Sequence, residues 1–313
     1  MLFLWIFLGL AAFVTLAVLL TSYICFLKVF YSTKPDEGEY PVPEGEAYEV
    51  YREEMIEWIK LSRRLPYKEY SVRSFDGLTL RGKYYEYQKG APIDVLFHGY
   101  RGTALRDLSG GVARCMMLKH NVIVVDHRGS GESDGTVITF GINESKDVEK
   151  WVELVLREID PNAKIILGGI SMGAATVMIA SAKKFPENVV GEVADCGYTS
   201  AEEIIKKVVV DTGLPPKLLY PFIKLGARIF GRFDINEVSP IESVKNSRIP
   251  IIFFHGESDG FVPHEMSVEN YNACASQKKM VMVKGADHGL AFPADQQGYV
   301  DAIAEFFAPY LEK

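Results

Sequence analysis

The sequence predicts an α/β protein: a mostly parallel central sheet with helices on both faces, a helical insertion between two strands, and one transmembrane helix ahead of them. Short apolar runs near 93–98, 121–125, 164–170, 189–195, 249–255 and 279–284 alternate with helical stretches near 104–119, 141–159, 172–184, 263–275 and 294–312. Such alternation joins strands in parallel through crossovers that cover both faces of a sheet. Residues 197–248 interrupt the alternation, and residues 2–27 contain no charged side chain.

Taken from the start of the chain, 2–27 as a helix spans roughly 39 Å, against about 30 Å of hydrocarbon. It has no basic residue before the apolar run and a longer core than a signal peptide, so residues 1–31 read as a single-pass anchor. Lys28 and Lys34 follow the span, and the positive-inside bias then places the C-terminal side in the cytoplasm; Asp36, Glu37 and Glu39 count little under that rule. Cys25 lies in the span, leaving Cys115, Cys196 and Cys274, an odd number without a disulfide pattern, which suits a reducing compartment.

Residues 32–46 form a proline- and acid-rich spacer, the first part of a 32–69 linking region. In 47–65, Tyr48, Tyr51, Met55, Trp58 and Ile59 share one helical face. This amphipathic juxtamembrane helix either packs on the main domain or lies on the membrane surface, where Lys60, Arg63, Arg64 and Lys68 cluster. The main domain is expected from 70 to 313, opening with runs Tyr70–Phe75 and Leu78–Tyr87 around Asp76-Gly77, a hairpin signal. A net charge of −7 argues against a nucleic-acid partner. Nothing in the pattern fixes an oligomeric state.

The chemistry is concentrated at 165–175. There an apolar strand runs into Gly169-Ile170-Ser171-Met172-Gly173 and then a helix, the strand-to-helix context of a G-x-S-x-G nucleophile elbow. Such an elbow needs an acid and then a histidine later in the chain. Strand 249–254 ends in His255-Gly256-Glu257-Ser258-Asp259, and strand 279–283 ends in Lys284-Gly285-Ala286-Asp287-His288-Gly289. Asp259 and His288 thus fall in loops past strand ends, where open α/β sheets bind ligands. His288 would take the Ser171 proton and Asp259 would orient the imidazole. The amide of Met172 and that of Tyr100, in His98-Gly99-Tyr100-Arg101-Gly102 after strand 93–97, are the expected oxyanion donors.

With Asp126-His127-Arg128-Gly129-Ser130-Gly131-Glu132-Ser133, these motifs make residues 70–313 resemble the α/β-hydrolase superfamily, near its membrane-tethered serine esterases and thioesterases. The resemblance implies cleavage of a small-molecule acyl ester or thioester through an acyl-enzyme; the membrane is expected as a partner through the N-terminal helix. A serine aminopeptidase-like peptide hydrolase and a tethered binding protein that has lost activity are the alternatives.

Asp195 also ends a strand and is the second choice of acid, with Glu257 and Asp287 behind it. His98 and His255 read as orienting or packing residues, His127 as a loop-fixing residue, and His120 and His264 as surface residues. Gly129-Ser130-Gly131 lacks the third glycine of a dinucleotide fingerprint, and no metal-binding motif is present, so neither a cofactor nor a metal is expected. The apolar 197–248 segment, broken by Pro215-Pro216 and Pro221, reads as a helical lid over the acyl pocket.

Overall fold

Eight strands form one sheet: β1 (Tyr67–Arg73), β2 (Thr79–Tyr85), β3 (Ile93–Phe97), β4 (Asn121–Val125), β5 (Ile165–Ile170), β6 (Val189–Asp195), β7 (Ile251–Gly256) and β8 (Lys278–Val283). In this computed structural model, residues 1–34 and 38–312 are described. Pro35, Asp36 and Glu37 of the acid-rich spacer lie outside the described residues. The strand order is β1-β2-β4-β3-β5-β6-β7-β8. β1 and β2 form the antiparallel hairpin expected around Asp76-Gly77, and β2 also runs antiparallel to β4; every other pairing is parallel. β3, β4 and β6 are buried along their whole length, which is why they read as largely apolar runs, broken only by the buried Asp94, Asn121, Glu192 and Asp195.

Alternate strand residues feed different layers. Val95, Phe97, Ile123, Val125, Ile165 and Leu167 pack beneath α5 (Glu144–Leu154) and α6 (Met172–Ala180) through Val148, Trp151 and Val177. Leu96, Val122 and Val124 meet Leu108, Val112 and Cys115 of α4 (Ala104–Leu118) on the opposite face. On that face too, Ile166, Ile252 and Phe254 meet Tyr299, Ile303 and Phe307 of α12 (Gln296–Leu311). β4 lies on one side of β3 and β5 on the other, so the crossovers diverge between β3 and β5. A crevice therefore opens at the carboxyl ends of those two strands.

The region before the sheet is more tightly joined to it than its sequence suggests. α1 (Leu2–Val29) is exposed along its first two-thirds, but Ser22, Phe26 and Phe30 are buried. They pack on the insertion between β6 and β7, which is helical as expected: α7 (Ala201–Asp211), α8 (Pro216–Gly226) and α9 (Pro240–Val244). At the α1–α8 crossing a Cβ on Gly226 would lie 2.4 Å from the Ser22 carbonyl oxygen, so only glycine permits this approach. Ser32 N–H donates to Thr136 O and Ile138 N–H to Phe30 O, stitching the chain after α1 to the main domain. α2 (Glu46–Glu49) and α3 (Arg52–Arg64) lie on α4 and α12, with Ile59 buried; of the two readings of this amphipathic segment, packing on the main domain is the one realised.

Candidate active site

Ser171 stands at the turn from β5 to α6 with φ 55° and ψ −114°, a left-handed conformation disfavoured for any residue but glycine. Its neighbours show why the turn needs glycines. A Cβ on Gly173 would come within 2.0 Å of the Phe97 carbonyl oxygen, and one on Gly169 within 2.1 Å of the Gly173 carbonyl. Both contacts are with backbone, which cannot step aside. The serine is thus held at the crevice, with the unpaired amides of the α6 N-terminus, Met172 first, beside it.

His288 reaches the serine from the loop after β8, its Nε2 3.0 Å from Ser171 Oγ. Its Nδ1 lies 2.8 Å from Asp259 Oδ2. The carboxylate only accepts, so Nδ1 carries the proton and Nε2 is left as the acceptor for the serine hydroxyl. Asp259 Oδ1 accepts the amides of Phe261 and Val262 at 2.9 and 2.8 Å, and Oδ2 also accepts from His255 Nε2 at 3.0 Å. Burial alone would raise the Asp259 carboxyl, but the hydrogen bonds from His255 and His288 outweigh it and hold the group well below the usual carboxylate range.

The loop after β3 closes the other side. Tyr100 lines the same cavity of about 240 Å³ as Ser171 and His288, and Gly99 N–H donates to Asp107 Oδ2 at 3.1 Å. Tyr100 Oη donates to Val29 O at 2.7 Å, and Arg101 donates to Lys28 O and Tyr31 O at 2.9 and 3.0 Å. The loop is pinned between α4 and the last turn of α1.

Residues 95–228 match the family model described as alpha/beta hydrolase fold. The Pyrococcus furiosus esterase Pf2001 superposes with a TM-score of 0.65 at 17% identity, over 80% of this chain and 95% of its own. The chain has the α/β-hydrolase fold. Uncharacterized protein YqkD of Bacillus subtilis (strain 168) is 24% identical over 187 residues, 59% of this chain. The chain spans 61% of the length of that relative. Protein bem46 of Schizosaccharomyces pombe is 25% identical over 250 residues, 78% of this chain and 77% of its own.

Within this α/β-hydrolase fold the rival acids separate by geometry. Asp195 does not contact His288; its Oδ2 accepts from the Tyr299 hydroxyl at 3.0 Å, and its main-chain oxygen accepts from Ser171 N–H. Burial pushes its carboxyl up to about 6 against the pull of that hydroxyl. Glu257 is exposed, and Asp287 Oδ1 braces the amides of Gly260 and His288. His120 corrects its surface assignment: it is buried, with Nδ1 2.9 Å from Asp94 Oδ1. Cys196, Asp259 and His288 have ligand atoms within 4.8 Å of one another. Burial raises the Cys196 thiol and keeps it protonated, and both His288 nitrogens are engaged, so the trio is a poor metal ligand set.

The cavity wall brings a second correction. None of residues 197–248 lines it; Met55 and Trp58 of α3, with Tyr48 from α2, cover it instead, and Tyr48 Oη donates to His288 O at 2.9 Å. The insertion that reads as a lid spends its apolar face on α1. His255, read as an orienting or packing residue, is placed against Asp259, whereas Asp107 and Tyr48 were missed as supports of the site.

Proposed function

We propose that the protein is a membrane-anchored serine hydrolase that cleaves carboxylic esters or thioesters by way of an acyl-enzyme. The observation that carries this reading is the continuous hydrogen-bonded series from Ser171 through His288 to Asp259. His288 Nε2 accepts the Ser171 proton as Oγ attacks the acyl carbon, and Asp259 stabilises the imidazolium that forms. The amides of Tyr100 and Met172 receive the negative charge on the tetrahedral oxygen, each contributing about 3–4 kcal/mol to the transition state. The imidazolium then protonates the leaving alcohol or thiol. Water, activated by the same nitrogen, releases the acid and restores the serine.

The anchor is α1. Its residues 2–21, largely exposed, would span about 30 Å as a helix, the thickness of a bilayer core. Lys28 and Lys34 after the span favour a cytoplasmic catalytic domain. The test is labelling of the full chain by a fluorophosphonate probe together with hydrolysis of p-nitrophenyl esters. Labelling that persists in Ser171→Ala, or a wild type that neither labels nor turns over, refutes the proposal.

A further inference from the structure

Packing on α1 uses one face of α8 and leaves a second apolar face uncovered. Tyr220 and Ile223, with Leu219 beside them, join the core that holds Phe26 and Phe30. Leu218, Phe222 and Leu225 recur at i, i+4 and i+7 and so line another side of the helix. Ile229 follows them in the turn Ala227–Gly231 that continues it. Leu218 is 62% exposed and Ile229 is exposed as well, while Phe222 and Leu225 are half-buried outside that core. Leu214, four residues before Leu218, and Val210, four before that, are also exposed. Apolar side chains gathered on one open face mark an interaction surface.

Charge and position decide what covers it. Lys217, Lys224 and Arg228 recur at i, i+7 and i+11 along one flank of the apolar stripe. Residues 212–233 contain four cations and no acid, in a chain of net charge −7. Arg228 pairs with Asp234 at 3.2 Å, but Lys217, Lys224 and Arg232 have no carboxylate partner among the described residues. An apolar stripe beside a row of cations is the pattern of a helix lying in the headgroup layer of an anionic bilayer, its long basic side chains reaching the phosphates. A second copy of the same face would set like charges against each other. Depth agrees with a lipid partner. With residues 2–21 of α1 across the hydrocarbon, Ser22, where Gly226 makes its close approach, stands at the boundary. The exposed Tyr23 meets Phe230 edge-on at 4.9 Å there, at the level where membrane proteins gather tyrosine.

We propose that α8 is a second membrane contact, its Leu218–Ile229 face lying in the headgroup region of an anionic bilayer beside the emerging anchor. The proposal rests on the reading of α1 as that anchor and adds a lipid-binding surface on the insertion. α7 links this surface to the reaction site, since Lys207 donates to Gly260 O at 2.6 Å, next to Phe261 of the cavity wall.

The experiment uses the full chain in phosphatidylcholine vesicles with or without about 30 mol% phosphatidylglycerol. An environment-sensitive fluorophore is attached at Leu218→Cys or, as control, at Glu187→Cys, an exposed position at the opposite end of β6 from the insertion. Label taken up by the wild type, whose Cys25 is half-buried and whose other cysteines are buried, is subtracted. Resistance to alkaline carbonate extraction is scored first; its failure sinks the anchor reading and the proposal with it. In inserted protein, nitroxide-bearing lipid should quench the probe at Leu218→Cys at least about threefold more than the control in anionic vesicles. That excess should shrink at least about twofold in neutral vesicles, and likewise in about 1 M salt, where the screening length is about 3 Å. Equal quenching at the two positions in inserted protein overturns the proposal and leaves the anchor standing. So does an excess of the same size with neutral lipid. A probe shielded only as protein concentration rises also overturns it, because a second copy would then cover the face.

Discussion

Replacing Phe30 by alanine tests whether the end of α1 belongs to the folded body. Phe30 is fully buried, its ring edge-on to Phe140 at 5.8 Å and to Phe233 at 5.2 Å. Truncating such a ring costs about 3–5 kcal/mol, from lost transfer energy, the cavity left behind and the loss of two aromatic contacts. Against a typical domain stability of about 5–15 kcal/mol that is a large fraction. Phe13 supplies the control: it sits on α1, the helix that Phe30 follows directly, is 69% exposed, and should tolerate alanine with a change under about 0.5 kcal/mol. Urea unfolding of the full chain in mild detergent, followed by near-ultraviolet circular dichroism, reads both. A Phe30→Ala cost below about 1 kcal/mol, or one equal to that of Phe13→Ala, would refute the idea that residues 22–31 are part of the core.

Three further outcomes are expected. Ser171→Ala and His288→Ala should each lower kcat on p-nitrophenyl esters by at least about a thousandfold with unchanged far-ultraviolet dichroism; a residual tenth of wild-type rate would contradict the assigned roles. Gly173→Ala drives a Cβ into the Phe97 carbonyl oxygen and should lower both melting temperature and turnover, measured by differential scanning fluorimetry and ester assay. Wild-type levels of both would show that the elbow can relax. Asp195 holds its proton more tightly folded than unfolded, its carboxyl raised from 3.8 to about 6, so its contribution is fully present below about pH 4 and lost as pH rises through 6. That loss amounts to about 3 kcal/mol, and Asp195→Asn should escape it. Urea midpoints of variant and wild type between pH 4 and 7 should therefore diverge in the variant's favour as pH rises. A difference independent of pH would count against it.

What the sequence discloses and what it hides divide along the range of the interactions. β3 to β7 were legible because a strand covered on both faces is largely apolar, and the elbow because its glycines and serine lie together in the sequence. Asp259 and His288 follow from strand ends, which the close of each apolar run marks. The cover of the cavity did not follow. The apolar faces of α3 and of the 197–248 insertion both announce burial, but neither says against what. Arg114 and His120 were hidden for a related reason. A cation on a helix or a histidine in a helix-to-strand connection defaults to solvent, and only the fold places Asp94 within reach of both.

The stitching of Tyr100 and Arg101 to the carbonyls of Lys28, Val29 and Tyr31 has a practical corollary. The final carbonyls of a helix lack partners of their own, and here the loop beside the serine supplies them. Cutting or fusing the polypeptide just after Tyr31 would take away the surface on which that loop leans, while a joint upstream of Ser22 would spare it. A shortened version worth assaying should therefore keep the last two turns of α1, with their greasy side chains, as a pillar for the loop beside Ser171.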